Sequence, residues 1–371
     1  MGTMIDIHLL LKLAKIKRGS DLHLLVGAPP VVRVDGSLEP LDDSEVLTAE
    51  DIDHAFEQVT TPEEREQFYR AHELDLGYEC PGVGRVRCNA ARQRGTTSLV
   101  LRLLPASVPD LEDLGLPNVC RQLVMKPRGM VVVSGSTGSG KSTTLAAMLN
   151  YLNQNSYRRI VTIEDPIEYM YRDICCIVSQ REIGRDTASF ADALKYALRQ
   201  DPDVVLVGEM RDFETASAAL TMADTGHLIL TTGHAPSASQ AVERIVDLFP
   251  ADERDQARSR LASLLAGVLC QALVPCAEGQ GRVAAVEIML ATPAVRNLIR
   301  EDRTYQLPNL IRTNLREGMQ LLDQALVNLY REQRISQESV FAFCNEPEQV
   351  EKLIGGADPA ARVVHTSVTA Q

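Results

Sequence analysis

A glycine-rich run that could hold a nucleotide phosphate has the clearest chemistry in this sequence. It fits the pattern G-x-x-x-x-G-K-[ST] and consists of Gly135, Ser136, Thr137, Gly138, Ser139, Gly140, Lys141, Ser142 and Thr143. Glycines let successive backbone N–H groups face the phosphates, the lysine can reach the β/γ oxygens, and the hydroxyl after it can ligate Mg²⁺. An apolar stretch precedes the run and a helical pattern follows it, so we predict a P-loop that binds ATP or GTP.

Two acidic segments follow apolar stretches further along the chain. Residues 203–209 read DVVLVGE, a buried-strand pattern ending in Glu209, where P-loop enzymes place the carboxylate that organises Mg²⁺ and water. Residues 163–168, the acidic box, hold Glu164, Asp165 and Glu168 on a turn that a proline stiffens. Ligands bind at the carboxyl ends of the strands in open α/β sheets. We therefore predict that Glu209 serves the metal and that one acidic-box carboxylate polarises the attacking water.

Two of the seven histidines, His227 and His234, flank one predicted strand. We expect both near the nucleotide edge, where an imidazole could sense the terminal phosphate. A purely structural role for either histidine is an equally good interpretation.

The patterns around these motifs predict their framework. Short apolar runs at 130–134, 159–163, 203–207, 227–232 and 283–290 alternate with helical patterns, which indicates a mostly parallel sheet flanked by helices. Residues 291–345 have the spacing of further helices. The predicted domains are an α+β domain at 1–105, a linker at 106–118, an α/β P-loop domain at 119–345 and a loose tail at 346–371.

The N-terminal segment, up to Lys17, is predicted to form an amphipathic helix. Its apolar positions at helical spacing are Ile5, Leu9, Leu10, Leu13 and Ile16. The segment is too short and too mixed for a signal peptide or a membrane span, so we expect no direct membrane insertion.

Composition excludes several classes of function. The chain has 371 residues and a net charge of -12 without a Lys/Arg cluster, which disfavours nucleic acid as a partner. Its eight cysteines form no C-x-x-C pair, which disfavours a zinc site or a disulfide framework and favours a reducing compartment.

Four motifs in this order resemble those of the secretion ATPases that drive type IV pili and type II and IV secretion. They are the Walker A motif (135–143), the acidic box (163–168), the Walker B motif (203–209) and the histidine box (225–234). Residues 294–301, AVRNLIRE, resemble the A-I-R-N-L-I-R-E signature of the PilT-type pilus retraction ATPases, and residues 201–212 are similar to their Walker B motif. Residues 19–23 and 33–36 are similar to the PAS-like N-terminal domain of that family.

The resemblance implies a RecA-like ATPase domain after a smaller PAS-like domain, and a cytoplasmic hexameric motor that uses ATP to retract type IV pili. It assigns Lys141 to the phosphates, Ser142 and Glu209 to Mg²⁺, and Glu168 to activation of water. Arginines of an N-terminal domain reach across to a neighbour's nucleotide in this family. The candidates here, among which the sequence leaves the choice open, are Arg87, Arg94 and Arg102. The implied partner is the inner-membrane platform protein at the pilus base.

Three alternatives stay open. An accessory retraction ATPase of the PilU type shares the motifs. A pilus-extension or type II secretion ATPase usually carries a tetracysteine zinc element, whereas residues 275–282 here hold only Cys276. A nucleotide-dependent switch without sustained turnover is the third, because residues 231–235 read TTGHA where the family usually has G-T-L-H-T.

Overall fold

The computed structural model describes residues 5–34, 36–41, 44–105, 107–279 and 281–355. Contacts divide the chain into two compact units, Met1–Val108 with Glu164–Arg172, and Pro109–Ile163 with Asp173–Gln371. The sequence places the whole acidic box in the P-loop domain, whereas the contacts group its residues from Glu164 onward with the first unit. In the described part of the chain, no helix has the length and apolar character needed to cross a membrane.

The first unit is built on a six-stranded sheet in the order β3-β2-β1-β6-β5-β4, with antiparallel ladders. Its elements are α1 (Ile7–Ile16), β1 (Asp21–Leu24), β2 (Val31–Val34), β3 (Ser37–Pro40), α2 (Ala49–Val59), α3 (Pro62–Ala71), β4 (Glu73–Cys80), β5 (Gly84–Gln93) and β6 (Thr96–Leu103). Successive side chains of a strand point to opposite faces. Leu22, Leu101 and Cys88 are paired across three strands and buried in the core, so the neighbouring row bearing Asp21, Arg102 and Arg87 lies on the other face.

Helix α1 is present and amphipathic, as predicted, but of the predicted apolar positions within it only Leu10 belongs to the face that the protein buries. The buried residues of the helix are Ile7, Leu10, Leu11 and Ala14. Leu9, Leu13 and Ile16 are exposed on the opposite side. Leucines and isoleucines occur on both sides of this helix, so spacing alone does not select the face that packs.

The second unit has an α/β architecture, which confirms the predicted class. Its sheet has seven strands in the order β13-β12-β7-β11-β10-β8-β9. The elements up to the end of the sheet are α4 (Val119–Val124), β7 (Gly129–Ser134), α5 (Lys141–Asn155), β8 (Arg159–Glu164), β9 (Ile177–Glu182), α6 (Phe190–Ala197), β10 (Val204–Glu209), α7 (Phe213–Asp224), β11 (Leu228–Gly233), α8 (Ala238–Asp247), α9 (Arg254–Leu264), β12 (Leu265–Pro275) and β13 (Arg282–Leu290).

The parallel core of this sheet runs from β12 through β7, β11 and β10 to β8. The carboxyl ends of β7, β11 and β10 therefore meet at one edge, with β11 between the other two. Two strands, β9 and β12, do not appear in the sequence prediction. β12 continues directly from α9 as an apolar run, and periodicity does not separate a buried strand from a buried helix in such a run.

Residues 291–345, for which helices are predicted, contain α10 (Pro293–Arg300), α11 (Leu307–Thr313), α12 (Leu322–Arg331) and α13 (Gln337–Phe343). The expected loose tail is wrong at its start, because α14 spans Pro347–Gly355. Val350 is buried in a cluster with α12 and α13, and the Asp323 carboxylate accepts hydrogen bonds from the N–H groups of Asn345 and Glu346. Residues 356–371 of the predicted tail lie outside the described residues.

Candidate nucleotide-binding and catalytic site

The P-loop connects β7 to α5, as predicted from its pattern. Lys141 opens α5, and its side chain is almost fully buried. Its Nζ donates hydrogen bonds to the carbonyl oxygens of Gly135 (3.0 Å) and Ser136 (2.9 Å). The ammonium thus lies within the curve of the loop, where it can exchange those carbonyls for phosphate oxygens. Ser142 follows it in the first turn of the helix, the end that favours an anion.

Glu209 ends β10 at the same edge of the sheet. Its carboxylate forms an ion pair with Arg211, with Oε2 2.7 Å from Nε. The side chain is only 16% exposed, so the charge is held in place and not free in solvent. A cleft of about 310 Å³ opens beside it and is also lined by His234 and by Arg244 of α8.

His234 follows β11 directly and completes this edge. Its Nε2 lies 3.8 Å from Oε2 of Glu209. Burial lowers the pKa of the His234 ring, the charge of Lys141 lowers it further, and Glu209 opposes the shift. The imidazole is therefore neutral at pH 7 and can exchange a hydrogen bond with a nucleotide without carrying a fixed charge. His234 therefore lies at the same end of the parallel strands as Glu209 and Lys141, and its role as a nucleotide sensor stays a prediction.

His227 lies at the opposite end of the same strand, so the prediction that it also reaches the nucleotide edge is wrong. The His227 carbonyl accepts a hydrogen bond from Gly129 N, at the start of β7 and not at its P-loop end. Its Nδ1 lies within hydrogen-bond distance of Met222 O (2.9 Å) and Thr225 Oγ1 (3.0 Å), at the end of α7. A strand rises about 3.3 Å per residue, so the length of β11 separates the two histidines. His227 has the structural role.

The acidic box begins where β8 ends, at Glu164. Within the first unit, residues 164–172 bring Glu164 and Glu168 near the Tyr171 hydroxyl. Burial raises the pKa of Tyr171 well above its ordinary value, and the negative charge of the two glutamates raises it further. This phenol therefore keeps its proton. Glu168, the predicted water-activating residue, is partly exposed, and its role stays a prediction.

The residues assigned to Mg²⁺ offer suitable donors. Ser142 supplies a hydroxyl and Glu209 a carboxylate, the oxygen ligands that Mg²⁺ prefers. Within the described ranges, no group of three His, Cys, Asp or Glu side chains is arranged to hold a metal ion. Mg²⁺ commonly takes one or two protein oxygens and completes its shell with phosphate oxygens and water, and a hydroxyl with a carboxylate suits that mode of binding.

The three candidate arginines of the first unit do not lie together. Arg87 of β5 and Arg102 of β6 are paired across the ladder and share a face. Arg94 occupies the turn between these strands, with a backbone φ of 49°. The length of the hairpin separates Arg94 from the other two, so one phosphate group cannot engage all three. Asp21 holds Arg102, with Oδ1 2.7 Å from Nε.

The charge of Asp21 is secured by that contact. The carboxyl group is buried, which by itself raises its pKa, but hydrogen bonds from Arg102 and Ser20 outweigh burial and hold the pKa below the ordinary value. Asp21 therefore stays ionised and restrains the Arg102 guanidinium, while the arginine side chain remains largely exposed.

The predicted apolar stripe of the signature helix α10 is correct. Val295 and Ile299 are fully buried, and Leu298 packs against the same core. The structure adds a role that spacing does not predict. The Arg296 guanidinium donates to the carbonyl oxygens of Ala262, Ser263, Leu265 and Ala291, so it caps the end of α9 and joins it to α10.

Sequence reasoning missed two polar residues that support the P-loop edge. Ser134 ends β7, and its hydroxyl exchanges hydrogen bonds with both the N–H and the C=O of Ala235, beside His234. Gln271 of β12 contacts the P-loop itself. The sequence offered one signal for Gln271, because it is the single polar residue in an apolar run. All the remaining residues between positions 264 and 275 are apolar, glycine or cysteine.

Comparisons with known proteins agree with this geometry. The family described as type II/IV secretion system protein matches residues 84–335, more than half of the chain. This chain belongs to that family. Among curated members, the type IV pilus retractation ATPase PilT of Pseudomonas aeruginosa is 46% identical over 349 residues, which cover 92% of this chain and 99% of PilT. The type IV pilus ATPase PilU of the same organism is 41% identical, with 93% of this chain and 90% of PilU covered.

A solved structure of a family member has the same fold as this chain. The crystal structure of the pilus retraction motor PilT with bound ADP superposes with a TM-score of 0.87 and 41% identity, covering 94% of this chain and 99% of PilT. The resemblance to PilT-type ATPases that the motifs predicted is therefore confirmed.

Proposed function

We propose that this protein is a Mg²⁺-dependent ATP hydrolase that works as a homo-hexameric motor and powers type IV pilus retraction. The observation that carries the proposal is the meeting of Lys141, Glu209 and His234 at one edge of a parallel sheet. The likeness to PilT over nearly the whole of both chains supports retraction as the use of that hydrolysis.

The P-loop provides binding. Its backbone N–H groups and the Lys141 ammonium compensate the phosphate charge, and the loop is anchored between β7 and α5 of the second unit. Ser142 and Glu209 would hold Mg²⁺, which would supply positive charge to the phosphate oxygens. Glu168 accepts a proton from the attacking water, and the neutral His234 ring senses whether the terminal phosphate is present.

Arg87 and Arg102 supply positive charge from a neighbouring subunit. The face of the first unit's sheet that Arg87 and Arg102 share supports this assignment, and Arg94 in the hairpin turn does not share it. An arginine provided in trans makes hydrolysis depend on the assembled ring, because an isolated chain lacks part of its own site.

The remaining parts of the proposal follow from the family resemblance. The first unit is PAS-like, the ring works on the cytoplasmic face of the inner membrane, and its partner is the platform protein of the pilus. Neither nucleic acid nor direct insertion into the membrane has a part in this function.

Release of phosphate by the purified full-length protein tests the proposal. The protein should turn over many ATP molecules per chain, with specific activity that rises cooperatively with protein concentration. Lys141→Ala should abolish turnover because it removes a phosphate ligand. The variant should still fold, and its melting temperature should fall only by the loss of the two hydrogen bonds to the Gly135 and Ser136 carbonyls. A protein that stops after one turnover would be a nucleotide switch, and full specific activity at high dilution would rule out the ring.

A second candidate is an accessory retraction ATPase, which the 41% identity to PilU favours. Retraction in cells that lack their own motors separates the two. A principal motor restores retraction when this protein is the sole added ATPase, whereas an accessory one requires the second ATPase as well.

A further inference from the structure

Gln271 joins β12 to the P-loop through both ends of its side-chain amide. Its Nε2 donates to the carbonyl oxygen of Ser139 at 2.6 Å, and its Oε1 accepts from Thr144 Oγ1 at 2.7 Å. Gln271 is 6% exposed and Thr144 is 1% exposed, so water does not compete for these bonds. Each bond therefore carries an energetic cost if it is broken and its partner is left buried.

The first of these bonds fixes the direction of a peptide group in the phosphate-binding loop. The C=O of Ser139 and the N–H of Gly140 belong to one planar trans peptide and point in opposite directions. Because the Ser139 carbonyl is directed at Gln271, the Gly140 N–H is directed away from it. A P-loop binds phosphate through such N–H groups.

A glycine-rich loop needs an external restraint to keep that orientation. Gly140 has a φ of 87°, a conformation that glycine adopts as readily as its mirror image, so the peptide has little intrinsic preference for one direction. Packing supplies part of the restraint, since a Cβ added at Gly140 would lie 2.8 Å from Gln271 Nε2. At Gly135 an added Cβ would lie 2.3 Å from the Gln271 carbonyl oxygen.

The second bond determines which way round the Gln271 amide is held. The Thr144 hydroxyl donates to Oε1, which leaves the NH₂ group on the side of Ser139. If the amide were reversed, its oxygen would face the Ser139 carbonyl and the attraction would become repulsion. Thr144 thus fixes the orientation of the Gln271 amide, and that amide fixes the direction of the Ser139 carbonyl in the loop.

We propose that Gln271 is a positioning residue for nucleotide binding, which holds the Ser139–Gly140 peptide so that its N–H faces the phosphates. The proposal rests on the proposed ATPase function. Because Gln271 acts on the P-loop backbone and touches no reacting atom, its loss weakens the binding of ADP and ATP and leaves the chemical step nearly unchanged.

The test compares four variants of the full-length protein. Gln271→Leu removes both bonds. Thr144→Val removes the hydroxyl at nearly constant shape, and Thr144→Ser keeps it. The control is Gln320→Leu, which removes another amide that donates to a main-chain oxygen of the same sheet, Val286 O at 2.8 Å, and does not contact the P-loop. The measurements are the dissociation constant of a fluorescent ADP, KM and kcat for ATP, and the melting temperature.

Gln271→Leu and Thr144→Val should each raise the ADP dissociation constant and KM by about tenfold, with kcat within about twofold of the parent. Thr144→Ser and Gln320→Leu should bind ADP like the parent, even where Gln320→Leu lowers the melting temperature. ADP binding by Thr144→Val equal to that of Thr144→Ser would overturn the proposal, as would a fall in kcat with unchanged KM. If Gln271→Leu does not fold, the threonine pair decides. A parent protein without ATPase activity would instead refute the proposed function.

Discussion

The Asp21 carboxylate and the Arg102 guanidinium lie opposite each other on neighbouring strands of the first unit, with Oδ1 2.7 Å from Nε. The acid is buried and the base is largely exposed. One end of the pair is therefore fixed by the fold, while the other can present positive charge to a partner. Arg87 lies next to Arg102 on the adjacent strand, so the two arginines form a single basic row.

Mixing of inactive variants tests the action of this row in trans. We expect Arg102→Ala and Lys141→Ala each to be inactive alone, and a mixture to recover a fraction of parental ATPase activity. Recovery arises because some interfaces of mixed rings combine an intact P-loop with an intact arginine. Arg94→Ala is the control and should hydrolyse ATP like the parent. If the mixture forms rings of normal size but recovers no ATPase activity, the proposed action in trans is contradicted. Arg102 would then act in its own subunit's site or in no site.

Glu168→Gln should bind ATP with nearly parental affinity and hydrolyse it at least about a hundredfold more slowly, the loss expected for removal of a general base. The amide keeps the size of the side chain and loses its basicity. Binding of labelled ATP and single-turnover hydrolysis give the two quantities separately. Glu164→Gln, in the same acidic box, is the matched control. A slower reaction in Glu164→Gln than in Glu168→Gln would transfer the role to the other glutamate.

The pH dependence of stability should report the neutral ring of His234. Its folded pKa lies below the ordinary 6.5, so the unfolded chain binds more protons between the two values. The stability that His234 contributes is thus complete above pH 6.5 and is lost as the pH falls through the folded pKa. The melting temperature of the parent minus that of His234→Asn should decrease from pH 8 to pH 5.5 by a small amount, because the ring is half exposed. A difference independent of pH would contradict this account.

The signature helix α10 should separate retraction from hydrolysis. Leu298→Ala removes part of its packing stripe and should impair pilus retraction more than ATPase activity. Arg300→Ala, on the exposed side of the helix, tests the surface without a cavity. Its melting temperature should match the parent's, and its retraction should fall while phosphate release continues. Equal losses of both activities in Leu298→Ala, with a lowered melting temperature and a normal Arg300→Ala, would reduce the helix to a packing element.

The candidate nucleotide-binding residues could be located from the sequence because the chemistry expected of them requires particular types at fixed spacing along the chain. The P-loop, the strand ending in Glu209 and the position of His234 are of this kind. Each depends on a local turn at a strand end, and parallel strands bring such ends to one edge of the sheet. The apolar stripe of α10 was predictable for a similar reason, since it follows from the helical period alone.

Only the tertiary structure decided which residues that are distant along the chain lie next to each other. His227 and His234 look alike in sequence, but the direction of β11 places them at opposite edges of the sheet. The burial of Leu11 in place of Leu13 depends on how α1 docks, which a helix with leucines on two sides does not reveal. Gln271 reaches Ser139 because β12 lies beside β7, and pairing between strands so far apart in sequence leaves no local pattern.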